Sequence, residues 1–475
     1  MASSSHASRD TVEQQMRGFD FVCRPKKHLM YAPNRGGPVE APELIRKKRD
    51  GQALTRAEVF EFIECYTRGE VPDYQCAALL MASFFRGLDA RETADLAEAL
   101  RRSGQQLDLS AFPQPKIVMH SAGGVGEKTS LVVAPVAAAG GLLVPMISSR
   151  GLEQTSGTLD KLASIPGFRT NLTLAEFRRV LGVCGLGLID QTEELVAAGR
   201  RLCALRQATA TLECIPLIAA SIMSQMLAED IDGLVLDVKT GSGAFMPEFR
   251  EASKLARCMV EVGATCGISV QTLITDMSQP LGNAVGNALE VIEAVETLKG
   301  RGPADLVELS REFAAYMFLL GGVATTLDAA RARFDSLLAS GQALERFAQL
   351  VAAQGGDAEV VRDYARLPRA QYEDSVVAPA EGFVADLEAG ALGQAVRLLG
   401  GRREPQVSGG DAAVGLALEK KVGDPVAVGE RICALYANDR ARLARAHDMV
   451  RSAIVISPEP VAARPLILDR VPGVS

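Results

Sequence analysis

A stretch of small and polar residues at 119–131 contains several groups that could do chemistry together. Its sequence, MHSAGGVGEKTSL, holds one of only four histidines among 475 residues. Its three glycines would let backbone amides approach a ligand closely. Ser121 and Ser130 bring hydroxyl donors, and His120 titrates near neutrality and can donate a proton or a hydrogen bond. The stretch therefore suggests a binding loop for a small polar ligand.

The same loop does not match the pattern of a nucleoside triphosphate-binding loop. That pattern requires a glycine directly before the lysine and the serine or threonine. Here Glu127 precedes Lys128 and Thr129, and a carboxylate at this point would repel a phosphate. Taken alone, the loop could equally be a plain turn from a strand to a helix with a satisfied histidine.

A second loop, ISSRGLEQTSGTLDKL at 147–162, makes the plain-turn interpretation weaker. Ser148 and Thr158 add hydroxyls, and Arg150 and Lys161 add positive charge. Hydroxyls and amides can hold a phosphate dianion without fully neutralising it, which leaves it nucleophilic. Loops rich in serine and threonine are more often simple turns, but two of them follow two predicted strands here.

A third candidate group consists of Arg206 and Ser221, on a segment with a helical pattern. An arginine fork beside a hydroxyl suits a planar heterocycle that bears carbonyls and a ring N–H. A lone arginine on a helix is more often a surface charge, so this pair depends on the other two loops for its interpretation.

The elements that would position these groups indicate an α/β protein. The segments GGLLVPMIS and DGLVLDVKTGSGAF are short apolar runs that lead into glycines, and helical segments lie between them. Buried strands that alternate with helices favour a largely parallel sheet, in which ligands bind at the carboxyl ends of the strands. Helical patterns lie on both sides of the first α/β stretch, which predicts a discontinuous helical domain and a cleft that could close.

We therefore expect a small discontinuous all-helical domain, a larger α/β domain with a central mixed sheet, and a C-terminal α/β hammerhead-like subdomain. Thr55 with Glu58 fits a helix capping box, and Asp89 fits a helix N-cap. The expected ranges are a loosely attached extension at 1–38, the helical domain at 39–105 and 193–230, the α/β domain at 110–190 and 231–372, and the C-terminal subdomain at 373–475.

Composition and charge exclude several classes of function. A formal net charge of -7 argues against a nucleic-acid partner, since such proteins usually carry a basic surface. No uninterrupted apolar run reaches the roughly 18 residues of a membrane span, and the first residues lack the apolar core of a secretory signal. Nine irregularly spaced cysteines without a C-x-x-C pair indicate reduced cytoplasmic thiols and make a zinc site improbable.

Four segments together resemble the thymidine phosphorylase and pyrimidine nucleoside phosphorylase family. They are HSAGGVGEKTSL, SSRGLEQTSGTLDKLASIPGF, LVLDVKTGSGAFMPEF and LGNAVGNALEV. The resemblance runs from about residue 42 to near the C-terminus. It implies a two-domain enzyme, usually a homodimer, that cleaves a nucleoside with inorganic phosphate as co-substrate. The products would be a free base and a pentose 1-phosphate, and no other cofactor is implied.

The resemblance also implies roles for individual residues. The family's phosphate-binding hydroxyls correspond to Ser121, Ser130, Ser148 and Thr158. Its base-binding histidine, arginine and serine correspond to His120, Arg206 and Ser221, which would also be the catalytic residues, and a pocket-lining aromatic corresponds to Phe245. Some members hold a monovalent cation, for which Gly123, Leu281, Ala284 and Glu293 are the candidate positions. No other metal is expected.

The sequence departs from the family pattern at positions that should contact substrate. Met119 stands where the family has a phosphate-binding lysine, Gln225 where it has a base-contacting lysine, and Cys203 where it has a tyrosine. Truncating a charge-assisted hydrogen bond commonly costs about 1.5–3 kcal/mol. Further departures within the second loop and just after it are Ser149, Gln154, Ser156 and Ala163.

Two hypotheses follow from these departures. In the first, the protein is a nucleoside phosphorylase with an altered substrate preference: phosphate is held by hydroxyls, amides and one of Lys116, Lys128 or Lys161, and Gln225 both donates to and accepts from the base. In the second, the fold binds a nucleoside-like ligand with weak or no phosphorolysis. A phosphoribosyltransferase is a third idea, but it would need a glycine-rich diphosphate loop with acidic magnesium ligands, and no convincing one is present.

Overall fold

The computed structural model describes residues 40–121, 123–148, 157–191, 195–401, 410–462 and 464–473. Several positions from the sequence analysis lie outside the described residues. They are the 1–38 extension, Ser149, Arg150, Gln154 and Ser156.

Four helices open the described part of the chain and pack as a bundle. They are α1 (Ala41–Arg49), α2 (Arg56–Thr67), α3 (Asp73–Arg86) and α4 (Ala90–Arg102). The expected capping box begins α2, where the Thr55 hydroxyl accepts from the Glu58 N–H and the Glu58 carboxylate accepts from the Thr55 N–H. Asp89 and Glu92 begin α4 in the same way. These caps satisfy N–H groups that the first turn of a helix leaves unpaired.

The chain then enters an α/β arrangement. Its elements are β1 (Ile117–Ser121), α5 (Thr129–Ala139), β2 (Val144–Ser148), α6 (Thr158–Leu162), α7 (Leu174–Cys184) and β3 (Leu186–Asp190). Strand β2 pairs with β3 in parallel. The Ile117 N–H donates to the Leu143 carbonyl at 3.1 Å, which places the start of β2 beside the start of β1. The carboxyl ends of these parallel strands therefore meet at one edge.

Two further helices return to the bundle, which makes the helical domain discontinuous in sequence. They are α8 (Ala197–Ala208) and α9 (Ile215–Ala228). Helix α9 packs closely against α4. It is apolar over most of its length because it also packs against the next helix of the α/β part.

The second α/β stretch completes the central sheet. It contains β4 (Gly233–Thr240), α10 (Phe249–Cys266), β5 (Ser269–Asp276), β6 (Ala284–Val285), α11 (Asn287–Leu298), α12 (Ala304–Leu320), α13 (Leu327–Ala339) and α14 (Gln342–Ala353). Strand β4 pairs in parallel with both β1 and β5. Every residue of β4 is buried, as expected for a central strand covered on both faces.

The remaining elements form mainly antiparallel sheets with two helices. They are β7 (Tyr372–Val377), β8 (Gly382–Leu387), α15 (Ala389–Leu399), β9 (Gly415–Leu418), β10 (Pro425–Val426), β11 (Arg431–Ala437), α16 (Arg440–Ser452), β12 (Ile454–Ser457) and β13 (Ile467–Val471). One sheet has the strand order β10-β8-β12 and the other β6-β9-β11-β7.

The last strand differs from the expectation that residues 373–475 form a separate subdomain. Strand β13 pairs antiparallel with β5 and so extends the central sheet, which has the order β1-β4-β5-β13. Covering the open edge of β5 removes a row of unpaired backbone groups, and this antiparallel strand makes the sheet mixed. The expected fold class, a helical domain with a mixed-sheet α/β domain and a C-terminal α/β domain, is confirmed. No described helix is both long and apolar enough to cross a membrane.

Candidate active site

Ser121 ends β1 and lies beside a buried acidic and basic pair on β4. Its hydroxyl donates to Asp237 Oδ2 at 3.4 Å, and Lys239 Nζ lies 2.6 Å from the same oxygen. Both charged side chains have no exposed surface. Thr275 on β5 donates to the other Asp237 oxygen at 2.6 Å. The carboxylate is therefore fully engaged, and the Ser121 hydroxyl has the longest of these contacts.

The glycine loop after β1 packs directly on this network. A Cβ atom at Gly124 would lie 2.7 Å from Lys239 Cδ and 2.8 Å from Met277 Cε, so only glycine fits there without movement. Glu127, which we expected to repel phosphate, is buried and accepts from the Thr129 N–H at 2.9 Å. Burial by itself would raise the pKa of Glu127, but the charges of Lys161 and Lys239 lower it overall.

Helix α5 presents its N-terminus at the end of this loop. Lys128, the residue before this helix, provides no side-chain cap, and of the N–H groups in the first turn the one of Thr129 is already bound by Glu127. Ser130 lies buried in the same turn. The Thr129 hydroxyl is buried and makes no hydrogen bond with the residues that the structure describes. A helix N-terminus carries unpaired N–H groups and a partial positive charge, which favour an anion such as phosphate.

The second loop begins and ends at the same edge of the sheet. Ser148 is the last residue of β2, and Thr158 is the first residue of α6. Lys161 on α6 donates to the Glu127 carbonyl of the glycine loop, and its Nζ lies 3.0 Å from Glu290 Oε2. This buried lysine ties α6 to the glycine loop, so the hydroxyls of both loops belong to one region.

His120 differs from the expectation that it titrates near neutrality. Burial lowers the pKa of His120 to about 4, and the nearby charge of Glu127 opposes this only in part. The imidazole is therefore neutral at pH 7. A neutral imidazole still donates one hydrogen bond and accepts another, so this side chain can polarise a ligand carbonyl without carrying a charge of its own.

Arg206 lies buried where α8 leads into α9. Its Nε donates to the Thr211 carbonyl at 3.2 Å, Nη1 to Leu217 at 3.1 Å and Nη2 to Leu212 at 2.7 Å. Burial lowers the pKa of Arg206 from its ordinary value. The guanidinium is thus held rigidly by three carbonyls. A guanidinium has five N–H groups, and these carbonyls use three of them.

Two of the other residues expected to bind the base, Ser221 and Gln225, lie on α9. Ser221 stands four residues after Leu217, whose carbonyl accepts from Arg206, and Gln225 stands one further turn along α9. Both are half-buried, and they share a face because residues four apart on a helix are neighbours. Phe245 follows β4 and is 41% exposed, while Cys203 is an exposed free thiol.

The three lysines that could have replaced the missing phosphate lysine each lie beside a carboxylate. Lys116 precedes β1, at the opposite end of the strand from Ser121, with its Nζ 3.7 Å from Asp232. Lys128 and Lys161 are buried against Glu293 and Glu290.

Lys239 is the buried lysine that the sequence analysis passed over. Met119 and Ser121 on β1 point to one face of the sheet because side chains alternate along a strand. The pairing of Ser121 with Asp237 puts Lys239 on that same face. The sequence did contain a signal for this pair, because Asp237 and Lys239 stand two residues apart in an otherwise apolar strand. Charged residues are almost never buried without a partner, so an ion pair between them could have been predicted.

Three of the four candidate cation positions, Leu281, Ala284 and Glu293, lie around one point. The Leu281 and Ala284 carbonyls and the Glu293 carboxylate converge on one point, but Lys128 Nζ already lies there, within 2.5–2.9 Å of each. A free monovalent cation does not fit this arrangement while the ammonium is present.

Comparisons with known proteins agree with this architecture. A family described as "Glycosyl transferase family, helical bundle domain" matches residues 42–104, and one described as "Glycosyl transferase family, a/b domain" matches residues 114–344. A "Pyrimidine nucleoside phosphorylase C-terminal domain" matches residues 383–457. The solved anthranilate phosphoribosyltransferase of Thermus thermophilus has a TM-score of 0.54 at 21% identity, covering 66% of this chain and 99% of its own, which shows a shared fold only.

Curated relatives match over nearly their whole length. A pyrimidine-nucleoside phosphorylase of Geobacillus stearothermophilus is 46% identical over 90% of this chain and 99% of its own. That of Bacillus subtilis is 45% identical over 86% and 96%, and that of Staphylococcus epidermidis 43% over 84% and 92%. These relatives give no support to the hypothesis of a binding protein without phosphorolysis. The chain belongs to the pyrimidine-nucleoside phosphorylase family.

Proposed function

We propose that this protein cleaves a pyrimidine nucleoside with inorganic phosphate and releases the free base and a pentose 1-phosphate. The observation that carries the proposal is the edge formed by the glycine loop, the N-terminus of α5 and the carboxyl ends of β1 and β2. In this proposal Ser121, Ser130, Ser148 and Thr158 would bind the anion. The relatives named above catalyse the class of reaction that such an edge suits.

In the proposed reaction a phosphate oxygen attacks the anomeric carbon of the sugar. The new C–O bond forms as the bond from that carbon to the base nitrogen breaks, and the electron pair of the broken bond stays on the base. The sugar passes through an oxocarbenium-like state. Hydroxyls and amides can hold the phosphate dianion without quenching its charge, so it remains nucleophilic and stabilises the cationic sugar.

The base would leave with negative charge on its carbonyl oxygens and ring nitrogen. Arg206 is fixed by three carbonyls, so it would meet that charge with little reorganisation. His120, neutral at pH 7, would donate a hydrogen bond to a base carbonyl, and Ser221 would add another. The departing base then takes a proton from water or from phosphate.

Two departures from the family pattern bear on substrate preference. Gln225, one turn beyond Ser221, can donate to and accept from the base, whereas a lysine only donates. It would therefore accept a base with a different arrangement of carbonyl and amine groups. On the phosphate side, Met119 provides no charge, but Lys239 contacts the same Asp237 oxygen as Ser121. Lys239 would therefore supply part of the missing positive charge, although Asp237 already balances much of it.

The proposed function also has consequences for domain movement, oligomeric state and location. Phosphate and base would be held by different domains, so the cleft would close to bring them together. We propose a homodimer in the cytoplasm, with a nucleoside and phosphate as its ligands and no nucleic-acid or membrane partner.

The test is base release from a panel of nucleosides with and without phosphate. The panel contains uridine, thymidine, deoxyuridine, cytidine and purine nucleosides. The proposal predicts phosphate-dependent release from at least one pyrimidine nucleoside and none from the purines. Release without phosphate, or no release from any of them at enzyme concentrations high enough to see a rate reduced about ten-thousandfold, would contradict it.

A further inference from the structure

The Lys128 ammonium occupies a cage of three oxygen atoms, which come from the Leu281 and Ala284 carbonyls and the Glu293 carboxylate. It donates to the Leu281 carbonyl at 2.8 Å, to the Ala284 carbonyl at 2.9 Å and to Glu293 Oε2 at 2.5 Å. The side chain has no exposed surface. An ammonium has three N–H donors, and all three are used. Burial would lower the pKa of Lys128, but the charges of Glu293 and Glu290 raise it overall, so the ammonium stays charged.

The segment that supplies the cage is held on both sides by charged groups. The Glu293 carboxylate accepts from the Asn283 and Ala284 N–H groups at 2.8 and 3.1 Å. On the other side, Lys421 of the C-terminal domain donates to the Pro280 carbonyl and to the Gly282 carbonyl at 2.8 Å. The carbonyls of this segment are therefore shared between two ammonium groups, with Leu281 and Ala284 facing Lys128 and with Pro280 and Gly282 facing Lys421.

The cage also fixes the glycine loop. A Cβ atom at Gly126 would lie 2.8 Å from the Leu281 carbonyl oxygen, so the two segments touch backbone to backbone. The Leu281 N–H donates to the Val125 carbonyl at 3.2 Å. Lys128 itself directly precedes α5, whose first turn contains Ser130. A positive charge in the cage is thus coupled to the position of the proposed phosphate site.

Two carbonyls and a carboxylate are a ligand set for a hard cation, because carbonyl oxygens can replace the hydration shell of an ion such as potassium. An ammonium group and a potassium ion are similar in size and carry the same charge. We propose that the Lys128 ammonium is a built-in replacement for a bound monovalent cation, which makes the folded protein and its activity independent of potassium and sodium. The stability part of this proposal does not rest on the proposed function.

The first test uses the unmodified protein. Its Tm is measured in potassium, sodium and tetramethylammonium chloride at equal ionic strength, and the nucleoside phosphorolysis rate is measured in the same salts. The proposal predicts equal Tm values and equal rates in all three, because the Lys128 ammonium already fills the cage. A Tm or a rate that rises specifically with potassium or sodium would overturn it. If the chain shows no phosphorolysis at all, the Tm comparison still decides.

The second test opens the cage. Lys128→Ala removes the ammonium and leaves the three oxygens, so we expect Tm in tetramethylammonium chloride to fall by about 5 °C or more and to recover in potassium or ammonium chloride. Lys128→Met is the matched variant: it loses the charge but keeps a side chain of similar length in the cage, so its Tm should fall without recovering.

A surface variant controls for general effects of salt. Lys254 pairs with Glu251 on the exposed face of α10, and Lys254→Ala should show neither the loss nor the recovery. A Lys128→Ala protein whose Tm is the same in all salts, or a Lys128→Met protein that recovers as fully as Lys128→Ala, would show that the cage does not bind a free cation and would overturn the proposal.

Discussion

Ser121 and Asp237 meet across two adjacent parallel strands, with the Ser121 hydroxyl 3.4 Å from Asp237 Oδ2. That separation is long for a hydrogen bond between oxygens, which are usually 2.5–3.0 Å apart. The carboxylate has closer partners in Lys239 and Thr275, both at 2.6 Å. The serine hydroxyl can therefore turn its proton to a ligand at little cost, while Asp237 stays satisfied.

Ser121→Ala should weaken phosphate binding and leave nucleoside binding unchanged. Losing one hydrogen bond to a charged ligand corresponds to about 1.5 kcal/mol, so the KM for phosphate should rise about tenfold. Steady-state kinetics with each substrate varied in turn measures both constants. Ser452→Ala, on the exposed end of α16, is the control and should change neither. Equal increases in both KM values would argue against a phosphate contact.

Met119→Lys should restore a positive charge to the face of β1 that carries Ser121. Met119 is 2% exposed, so the new ammonium would be buried and would need the phosphate as its partner. We expect the KM for phosphate to fall about tenfold and Tm to fall without phosphate, with part of that loss recovered when phosphate is added. Met119→Leu keeps the apolar character and should show neither effect. If Met119→Lys changed neither the KM for phosphate nor the effect of phosphate on Tm, this face of β1 would not be part of the phosphate site.

His120 should make the folded state less stable in mild acid. Its pKa in the folded protein is about 4, below the ordinary value of about 6.5, so between these values the unfolded chain binds more protons. The stability contributed by the neutral imidazole is complete above about pH 6.5 and is lost as the pH falls toward 4, by at most about 3 kcal/mol.

His120→Asn removes this titration and keeps a hydrogen-bonding side chain. Urea unfolding of both proteins at pH 7 and pH 5 should therefore show the unmodified protein losing about 2 kcal/mol more than the variant between the two pH values. Identical losses in the two proteins would mean that His120 titrates normally.

Arg206→Lys should damage the base side and spare the phosphate side. One lysine ammonium cannot reach the Thr211, Leu212 and Leu217 carbonyls in the planar arrangement that the guanidinium uses. We expect the KM for the nucleoside to rise, the KM for phosphate to stay within about twofold, and the stability to fall by about 1–3 kcal/mol. Arg200→Lys, on the exposed face of the same helix, is the control. An unchanged KM for the nucleoside would remove Arg206 from the base site.

The sequence predicted those parts of the molecule that local patterns determine. Thr55 with Glu58 marked the start of α2, and the hydroxyls at 121 and 148 were placed at the ends of buried strands, where the structure has them. Long-range partners could not be read from the pattern. Lys128 meets Glu293 from 165 positions away, and nothing near Lys128 in the sequence indicates that its charge is used there.

The pairing partner of β13 could not be predicted from the sequence either. The pairing of this strand with β5 returns the chain to the central sheet after the C-terminal sheets and their two helices, which begin at β7. Propensity alone indicates a strand but not which edge it covers. The low pKa of His120 also could not be predicted from the sequence, because it depends on burial by residues from other elements.

The measurement that tests the central claim most directly is the stoichiometry of the products from a pyrimidine nucleoside and phosphate. Free base and pentose 1-phosphate are quantified in the same reaction as phosphate is consumed. The account predicts one pentose 1-phosphate formed and one phosphate consumed for each base released. Base release accompanied by free pentose, with phosphate unchanged, would show hydrolysis and would contradict the account.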